Sequence, residues 1–189
     1  MRYSASHKME TREKLLASSA VSAKKSGFST VGVDGLMKAI GLSGGAFYSH
    51  FSSKDELFKV IVERELTQSL ERLSGDHVLD SARLERCLQQ YLSMEHVQQP
   101  EIGCVLPVLG AEIARSDVQV RETAQTWICR LHEGWAQILG SESLAWAILS
   151  QCVGALVVAR MLVAPEIQRN VLQSSREEIS RRMAEQRID

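Results

Sequence analysis

The stretch "GLSGGAFYSHFSSKDEL", residues 41–57, decides how the chain is read. The 189 residues hold only four Phe, three Trp and three Tyr. Three of these aromatics, Phe47, Tyr48 and Phe51, fall with His50 and the glycine pair Gly44-Gly45 inside one eight-residue window. Gly41 stops one helix and Leu42-Ser43 make the turn. Ser43 stands where a side chain caps a new helix beginning at Gly44. On that helix Phe47 and Phe51, four apart, share an inward face, and Tyr48 and Ser49 point away from it. Ser53 with Glu56 reads as a capping box that starts another helix at Lys54. A short helix, a turn of a few residues beginning with glycine, and a second helix make a helix-turn-helix, whose second helix enters the DNA major groove by its N-terminal end.

Working outward, residues 9–26 carry Leu15, Leu16, Ser19, Ala20 and Ala23 at three- and four-residue spacings, which predicts a helix that Gly27 ends. Val33, Leu36, Met37 and Ile40 predict a second helix over 33–40. The helix from Lys54 presents Leu57, Phe58, Ile61, Val62, Leu66, Leu70 and Leu73 before Ser74-Gly75. All four phenylalanines, Phe28, Phe47, Phe51 and Phe58, lie in this region, as a small core needs. Five more helices are expected at roughly 80–98, 105–115, 117–139, 142–163 and 166–187, with breaks at Gln99-Pro100, Gly103, Ser116-Asp117, Gly140-Ser141 and Pro165. The expected fold class is all-α with about nine helices. Residues 1–52, with the start of the connecting helix 54–73, form the DNA-binding domain, and 53–189 the remainder.

Charge is divided along the chain. Residues 1–65 hold ten Lys/Arg against seven Asp/Glu, and 66–189 hold twelve against sixteen, within a net charge of −1. A basic N-terminal part permits a local polyanion-binding patch without a generally basic coat. Cys87, Cys104, Cys129 and Cys152 have no C-x-x-C spacing, which excludes the usual zinc-finger and thioredoxin-like sites. The N-terminal residues are polar, with no apolar core of a secretory signal, so reduced thiols in the cytoplasm are expected. Residues 145–164 reach the length of a membrane span but contain Ser150, Gln151 and Arg160, and read better as a buried helix of a bundle. His132-Glu133 lacks the second histidine of H-E-x-x-H, and no P-loop, G-x-G-x-x-G or nucleophile elbow occurs, so no catalytic residue, metal ligand or cofactor is expected.

The chemistry of the opening stretch suits DNA. Gly44 and Gly45 leave room for close backbone approach, and a helix start offers unpaired N–H groups to an anion. Tyr48 and His50 are phosphate donors. Lys54 sits in a first helical turn, a place that disfavours a cation unless an external phosphate shares it. Arg12, Lys14, Lys24 and Lys25 read as a solvated face whose first members touch phosphate at most.

At these residues the segment "FSTVGVDGLMKAIGLSGGAFYSHFSSKDELF" resembles the DNA-binding segment of the tetracycline-repressor (TetR/AcrR) family of bacterial transcription regulators. The matching marks are Gly27-Phe28, the helix 33–40, Gly41-Leu42-Ser43, Phe47-Tyr48-x-His50-Phe51 and Ser53-Lys54-x-x-Leu57. Carried over by position, the resemblance implies DNA contacts from Ser43, Gly44, Gly45, Ala46, Tyr48, Ser49, His50 and Lys54. Many relatives have threonine at the position of Ala46 and a hydroxyl residue at Gly32 or Val33, so this chain lacks those donors. The resemblance further implies a homodimer on a palindromic operator, released by an unidentified small-molecule effector, with movement of the helix from Lys54 changing the spacing of the two reading heads.

Candidate effector-pocket residues are Met94, Cys104, Leu109, Trp127, Leu131 and His132, each equally a core residue by helical spacing. Ala147, Gln151, Ala155 and Ala159, with Val171, Ile179 and Met183 on the last helix, are candidates for the dimer interface, or else pack within one subunit. Cys104 follows Gly103 at a helix start, where a thiol is acidified, so a redox- or electrophile-sensing regulator is the alternative switch.

Overall fold

The computed structural model describes residues 5–74 and 80–186. Nine α-helices follow one another among them: α1 (Ala5–Ser26), α2 (Val33–Lys38), α3 (Lys54–Ser74), α4 (Ser81–Tyr91), α5 (Met94–Gln98), α6 (Leu106–Arg115), α7 (Val118–Leu139), α8 (Glu142–Met161) and α9 (Pro165–Gln186). Short 3₁₀ segments occupy Gly44–Ser49 and Pro100–Ile102. No strand occurs among the described residues. The expected break at Gly75 lies outside them.

Glycines end the helices as expected. Gly27 has φ +86° and Gly41 φ +77°, left-handed values that cost other residues steric strain. At Gly41 the Leu42 N–H reaches back to the Met37 carbonyl (3.0 Å), so the last turn of α2 closes on itself. The helix expected over 80–98 is two. Leu92 leaves the helical region at φ −86°, ψ 60°, and Ser93 Oγ accepts the His96 N–H (3.2 Å) to start α5.

Two apolar clusters fill the interior. The first gathers Leu15, Leu16, Ala20 and Ala23 of α1, Leu36 and Met37 of α2, the four phenylalanines, and Leu57, Ile61, Val62 and Leu66 of α3. Phe28 stacks on Phe58 at 4.5 Å between centroids, and Phe47 tilts against Phe51 at 5.9 Å. This cluster also takes Val105, Leu109, Ile113, Val120 and Ala124 from α6, its approach and the first turns of α7. The second lies among α4, α5, the later turns of α7, α8 and α9, and half-buried Ile128 packs against both.

Two expectations about charge and small residues are corrected. Lys24 is no part of a solvated face: it and Glu65 are each 5% exposed, and their Nζ and Oε2 atoms stand 2.6 Å apart. Of the supposed dimer residues, Ala155, Ala159, Ile179 and Met183 are buried within the chain's own second cluster. Gln151 Nε2 donates to the Ser175 carbonyl of the same chain (3.3 Å), and Val171 packs on the same cluster. The small-residue row of α8 packs against α9 of the same chain. The exposed apolar face of α8 is at a different phase, with Trp146, Val157, Val158 and Met161, and continues past its end through Val163 to Ile167 of α9. By length and hydropathy α8 alone among the described helices is apolar enough to cross a membrane, but one side of it is core.

Candidate DNA-binding face and the cavity behind it

The segment after the Gly41 turn is a 3₁₀ helix. Ser43 makes no side-chain cap. The turn is held instead by Ala46 N–H to the Ser43 carbonyl (3.0 Å) and by His50 and Phe51 N–H to the Phe47 carbonyl (2.8 and 3.1 Å). Phe47 and Phe51 are buried, which leaves Tyr48 67% exposed, its ring edge against Phe47. Ser43, Gly45 and Ser49 are exposed beside it, Ala46 is half-buried, and Ser49 Oγ donates to the Ala46 carbonyl (2.7 Å). Gly44 owes its lack of a side chain to the fold: a Cβ there would stand 1.7 Å from Asp34 Oδ1. At Gly45 a Cβ would meet nothing within 4 Å.

Charge gathers at this face. The Arg12 guanidinium lies over the Phe51 ring (4.4 Å), and half-buried His50 has an unpartnered, buried Nδ1. Burial first, then the charges of Lys8 and Arg12, hold the His50 pKa below its usual value. Lys8 was not singled out from the sequence, although its spacing of four from Arg12 puts both on one side of α1. Lys54 Nζ sits over the Phe28 ring (4.7 Å) within 3.4 Å of the Ser29 carbonyl oxygen. The capping box at its helix is displaced by one residue. Ser53 Oγ accepts the Glu56 N–H (3.0 Å), but the Glu56 carboxylate returns to Ser52, taking both its N–H and its hydroxyl at 2.6 Å. Those bonds hold the Glu56 pKa down.

Where α3, α4, α5 and residues 102–104 meet lies a cavity of about 360 Å³. Arg72, Tyr91, His96, Ile102, Gly103 and Cys104 are among its walls. Of the six pocket residues expected from the sequence, only Cys104 lies there. Leu109 belongs to the first cluster and Leu131 to the second. Trp127 packs on the first cluster under Arg130, and Met94 on the second. His132 stacks on Trp146 at 4.0 Å and bonds the Glu142 carbonyl. Cys104 also precedes α6 by two residues, so its own N–H is not a helical donor. It is given to His96 Nε2 (3.0 Å). With Nε2 accepting, Nδ1 carries the imidazole proton and donates to the Tyr91 carbonyl (2.8 Å). A Cβ on Gly103 would stand 2.1 Å from the His96 ring, so glycine there lets the loop close on the imidazole. Burial is the main cause of a His96 pKa below the usual value.

The cavity wall is tied to α1 and α3. Lys24 Nζ, paired with Glu65, also donates to the Gly103 carbonyl (3.3 Å), Arg72 Nη1 donates to the Ile102 carbonyl (3.2 Å), and Lys25 pairs with Glu101 (3.4 Å). A second tie runs from α6. The Glu112 carboxylate accepts the N–H groups of Phe28 (3.0 Å) and Ser29 (2.8 Å) at the turn after α1.

An aromatic-backed reading turn on a basic edge, carried by an all-helical body, defines a helix-turn-helix DNA-binding regulator. Residues 15–61 match the family described as "Bacterial regulatory proteins, tetR family". Solved structures share the fold over nearly the whole length. E. coli NemR in its reduced form superimposes with a TM-score of 0.76 at 20% identity, covering 90% of this chain and 95% of that one. A transcriptional regulator from Rhodococcus sp. Rha1 gives 0.71 at 24% identity, covering 89% and 95%. A TetR transcriptional regulator from Legionella pneumophila gives 0.72 at 19% identity, covering 96% and 98%. No curated protein matches the chain. The family match is confined to residues 15–61, and over the rest of the chain the solved structures show a shared fold.

Proposed function

We propose that this regulator is a cytoplasmic, homodimeric repressor that a small molecule releases from a palindromic operator. The observation that carries the DNA-binding part is the outward presentation of Tyr48 from a turn anchored by Phe47 and Phe51, with His50, Lys8 and Arg12 gathered beside it. Contacts to the operator come from Ser43 through His50, with Tyr48 and His50 on phosphate. Lys54 reaches the backbone by leaving the Ser29 carbonyl. Dimerisation uses the exposed apolar face of α8 and the start of α9, which is of the kind that another helix pair covers. Two half-sites held at once give a short reading turn useful affinity.

The effector site of this reading is the cavity among α3, α4 and α5. A ligand that displaces residues 102–104 also pulls on the Gly103 carbonyl, and through Lys24 on α1. The effector shifts the operator-binding equilibrium only by its differential affinity for the two states. Fluorescence anisotropy on the intergenic DNA beside the gene, against scrambled DNA over a salt series, tests the reading. Selective binding that weakens steeply with salt and is impaired by Tyr48→Ala and Lys54→Ala is expected. Equal binding to both DNAs refutes it. Because Cys104 lies on the cavity wall, oxidation of its thiol is a second way to disturb the same loop. Oxidant-induced release that persists in Cys104→Ser excludes that switch.

A further inference from the structure

The turn that follows α1 closes on its own neighbours. The Gly27 N–H returns to the Ala23 carbonyl (2.8 Å), and Thr30 Oγ1 donates to the carbonyls of Ser26 (3.1 Å) and Gly27 (2.8 Å). A carboxylate from 84 residues further along nevertheless reaches it. Glu112 accepts the Phe28 N–H on Oε1 (3.0 Å) and the Ser29 N–H on Oε2 (2.8 Å). Gly27 leaves room for this, since a Cβ there would stand 2.8 Å from Oε1. Two bonds to one charged acceptor are stronger than neutral ones and fix direction as well. Ser29 is exposed, so water substitutes for Glu112 at its N–H. The carboxylate therefore places the turn more than it stabilises the fold.

The base of Glu112 is itself fixed. It stands in the last turn of α6 between Leu109 and Ile113, both buried in the first cluster, and its carbonyl accepts Ser116 Oγ (2.8 Å). What the turn carries is Lys54. The ammonium lies over the Phe28 ring (4.7 Å) and 3.4 Å from the Ser29 carbonyl oxygen. A carboxylate and an ammonium thus grip the same dipeptide, the first by its N–H groups and the second by its ring and carbonyl. The core holds the Phe28 ring against Phe58 (4.5 Å), whereas the Ser29 peptide lies at the surface and is held by Glu112. Downstream, α2 begins at Val33 with no side-chain cap of its own.

We infer that Glu112 is a positioning residue for operator binding: from the body of the protein it sets the Phe28-Ser29 turn, and through that turn the place of Lys54 at the DNA. The inference rests on the phosphate contact proposed above for Lys54. A lysine that starts from a fixed platform has less ordering left to do when it binds. The sign of the effect separates position from charge. Removing a carboxylate near a polyanion tightens binding if charge alone matters. A weaker complex means that geometry has been lost.

The test is fluorescence anisotropy of the full-length parent, Glu112→Gln, Lys54→Ala and the double variant over a salt series. The probe is the duplex that the parent enriches most strongly from a randomised pool. Glu112→Gln keeps the side chain's size but sets an amide NH₂ against one of the two backbone N–H groups. It is expected to weaken binding about tenfold. It should also lower the salt slope by about one, the loss of a phosphate contact. Added to Lys54→Ala it should change little, because a shared contact is lost only once, whereas independent losses multiply. In the free chain, hydrogen exchange of the Phe28 and Ser29 amides should quicken about tenfold in Glu112→Gln while that of α3 stays unchanged. Glu112→Asp keeps the charge one methylene short, is expected to fall between parent and Glu112→Gln, and decides if the latter does not fold.

The assignment is overturned if Glu112→Gln binds as tightly as the parent or tighter, if its loss multiplies with that of Lys54→Ala, or if the two amides exchange at the parent's rate. Failure of both Glu112 variants to fold overturns it too, since the turn is then not self-closing. Lys54→Ala without effect refutes the phosphate contact of Lys54 and this role of Glu112 together. An effect of Lys54→Ala with none from Glu112→Gln refutes Glu112 alone. A parent that enriches no duplex refutes the DNA-binding reading on which both stand.

Discussion

Lys24→Met is expected to be among the most damaging single substitutions in the chain. Both members of the Lys24–Glu65 pair are 5% exposed, and Glu65 Oε2 has Lys24 Nζ at 2.6 Å as its ion-pair partner. Methionine fills the space of the lysine stem but leaves the Glu65 carboxylate buried and uncompensated, a change that costs about 3–5 kcal/mol. Glu65→Leu strands the ammonium, whose remaining acceptor is the Gly103 carbonyl at 3.3 Å, with a loss of similar size. Against a total stability of roughly 5–15 kcal/mol, either substitution brings the fold near its limit. The double variant K24M/E65L removes both charges together, and is expected to fall between neutral and about 1–4 kcal/mol more stable than the parent. Urea denaturation at neutral pH and one fixed protein concentration measures all four species, since the proposed dimer makes stability concentration-dependent. Two single losses under about 1 kcal/mol, with a double equal to their sum, would refute the claim that desolvated charge dominates here. The double variant also carries a functional expectation. It has no donor at position 24 for the Gly103 carbonyl, so it should bind operator yet respond less to effector.

Other expectations follow from equally local geometry. Gly103→Ala has ordinary extended backbone at φ −87°, ψ −173°, but its Cβ displaces the His96 ring and orphans the Cys104 N–H; thermal unfolding should show a loss of about 1–3 kcal/mol, part of it recovered in G103A/H96A. Gly44→Ala meets Asp34 and should lower both stability and operator affinity, whereas Gly45→Ala meets nothing in the fold. A fall in affinity for Gly45→Ala at unchanged stability would place DNA against that backbone. His50 and His96 both titrate below 6.5 in the folded chain, so the unfolded chain binds more protons as pH falls through that value. Stability should therefore decline from pH 6.5 down to the lowered folded pKa values, and His96→Asn should remove part of that slope in pH-dependent melting.

The helices, their glycine stops and the aromatic core were legible because each rests on neighbours within one or two turns. Phe47 and Phe51 declare a buried face by spacing alone, and Gly27 and Gly41 mark left-handed turns. The rest depended on distant partners. Lys24 looks like any surface lysine until Glu65 is brought to it from 41 residues away. The apolar phase of α8 was ambiguous because that helix is apolar nearly all round, and its alanines suit α9 as well as they suit a second copy. The cavity walls were unreadable for a simpler reason. A single helix over 80–98 would carry His96 past Gly103, and only the break at Leu92-Ser93 turns the imidazole onto that loop. Glu56 shows the same limit on a smaller scale, since a capping pattern names the bonding residues only to within one position; Ser43 stands at the N-cap position and makes no side-chain cap.

The first cluster has a consequence for anyone exchanging the DNA-reading parts of such regulators. Its side chains do not all precede the long helix: Val105, Leu109, Ile113, Val120 and Ala124 come from beyond residue 100, and Glu112 holds the turn after α1. A segment cut anywhere in α3 and grafted onto another body leaves these partners behind and exposes the floor on which Phe28, Phe58 and Leu66 rest. A working chimera of this chain has to inherit the matching surface of α6 and the first turns of α7. The unit that is portable in sequence is thus smaller than the unit that is portable in space.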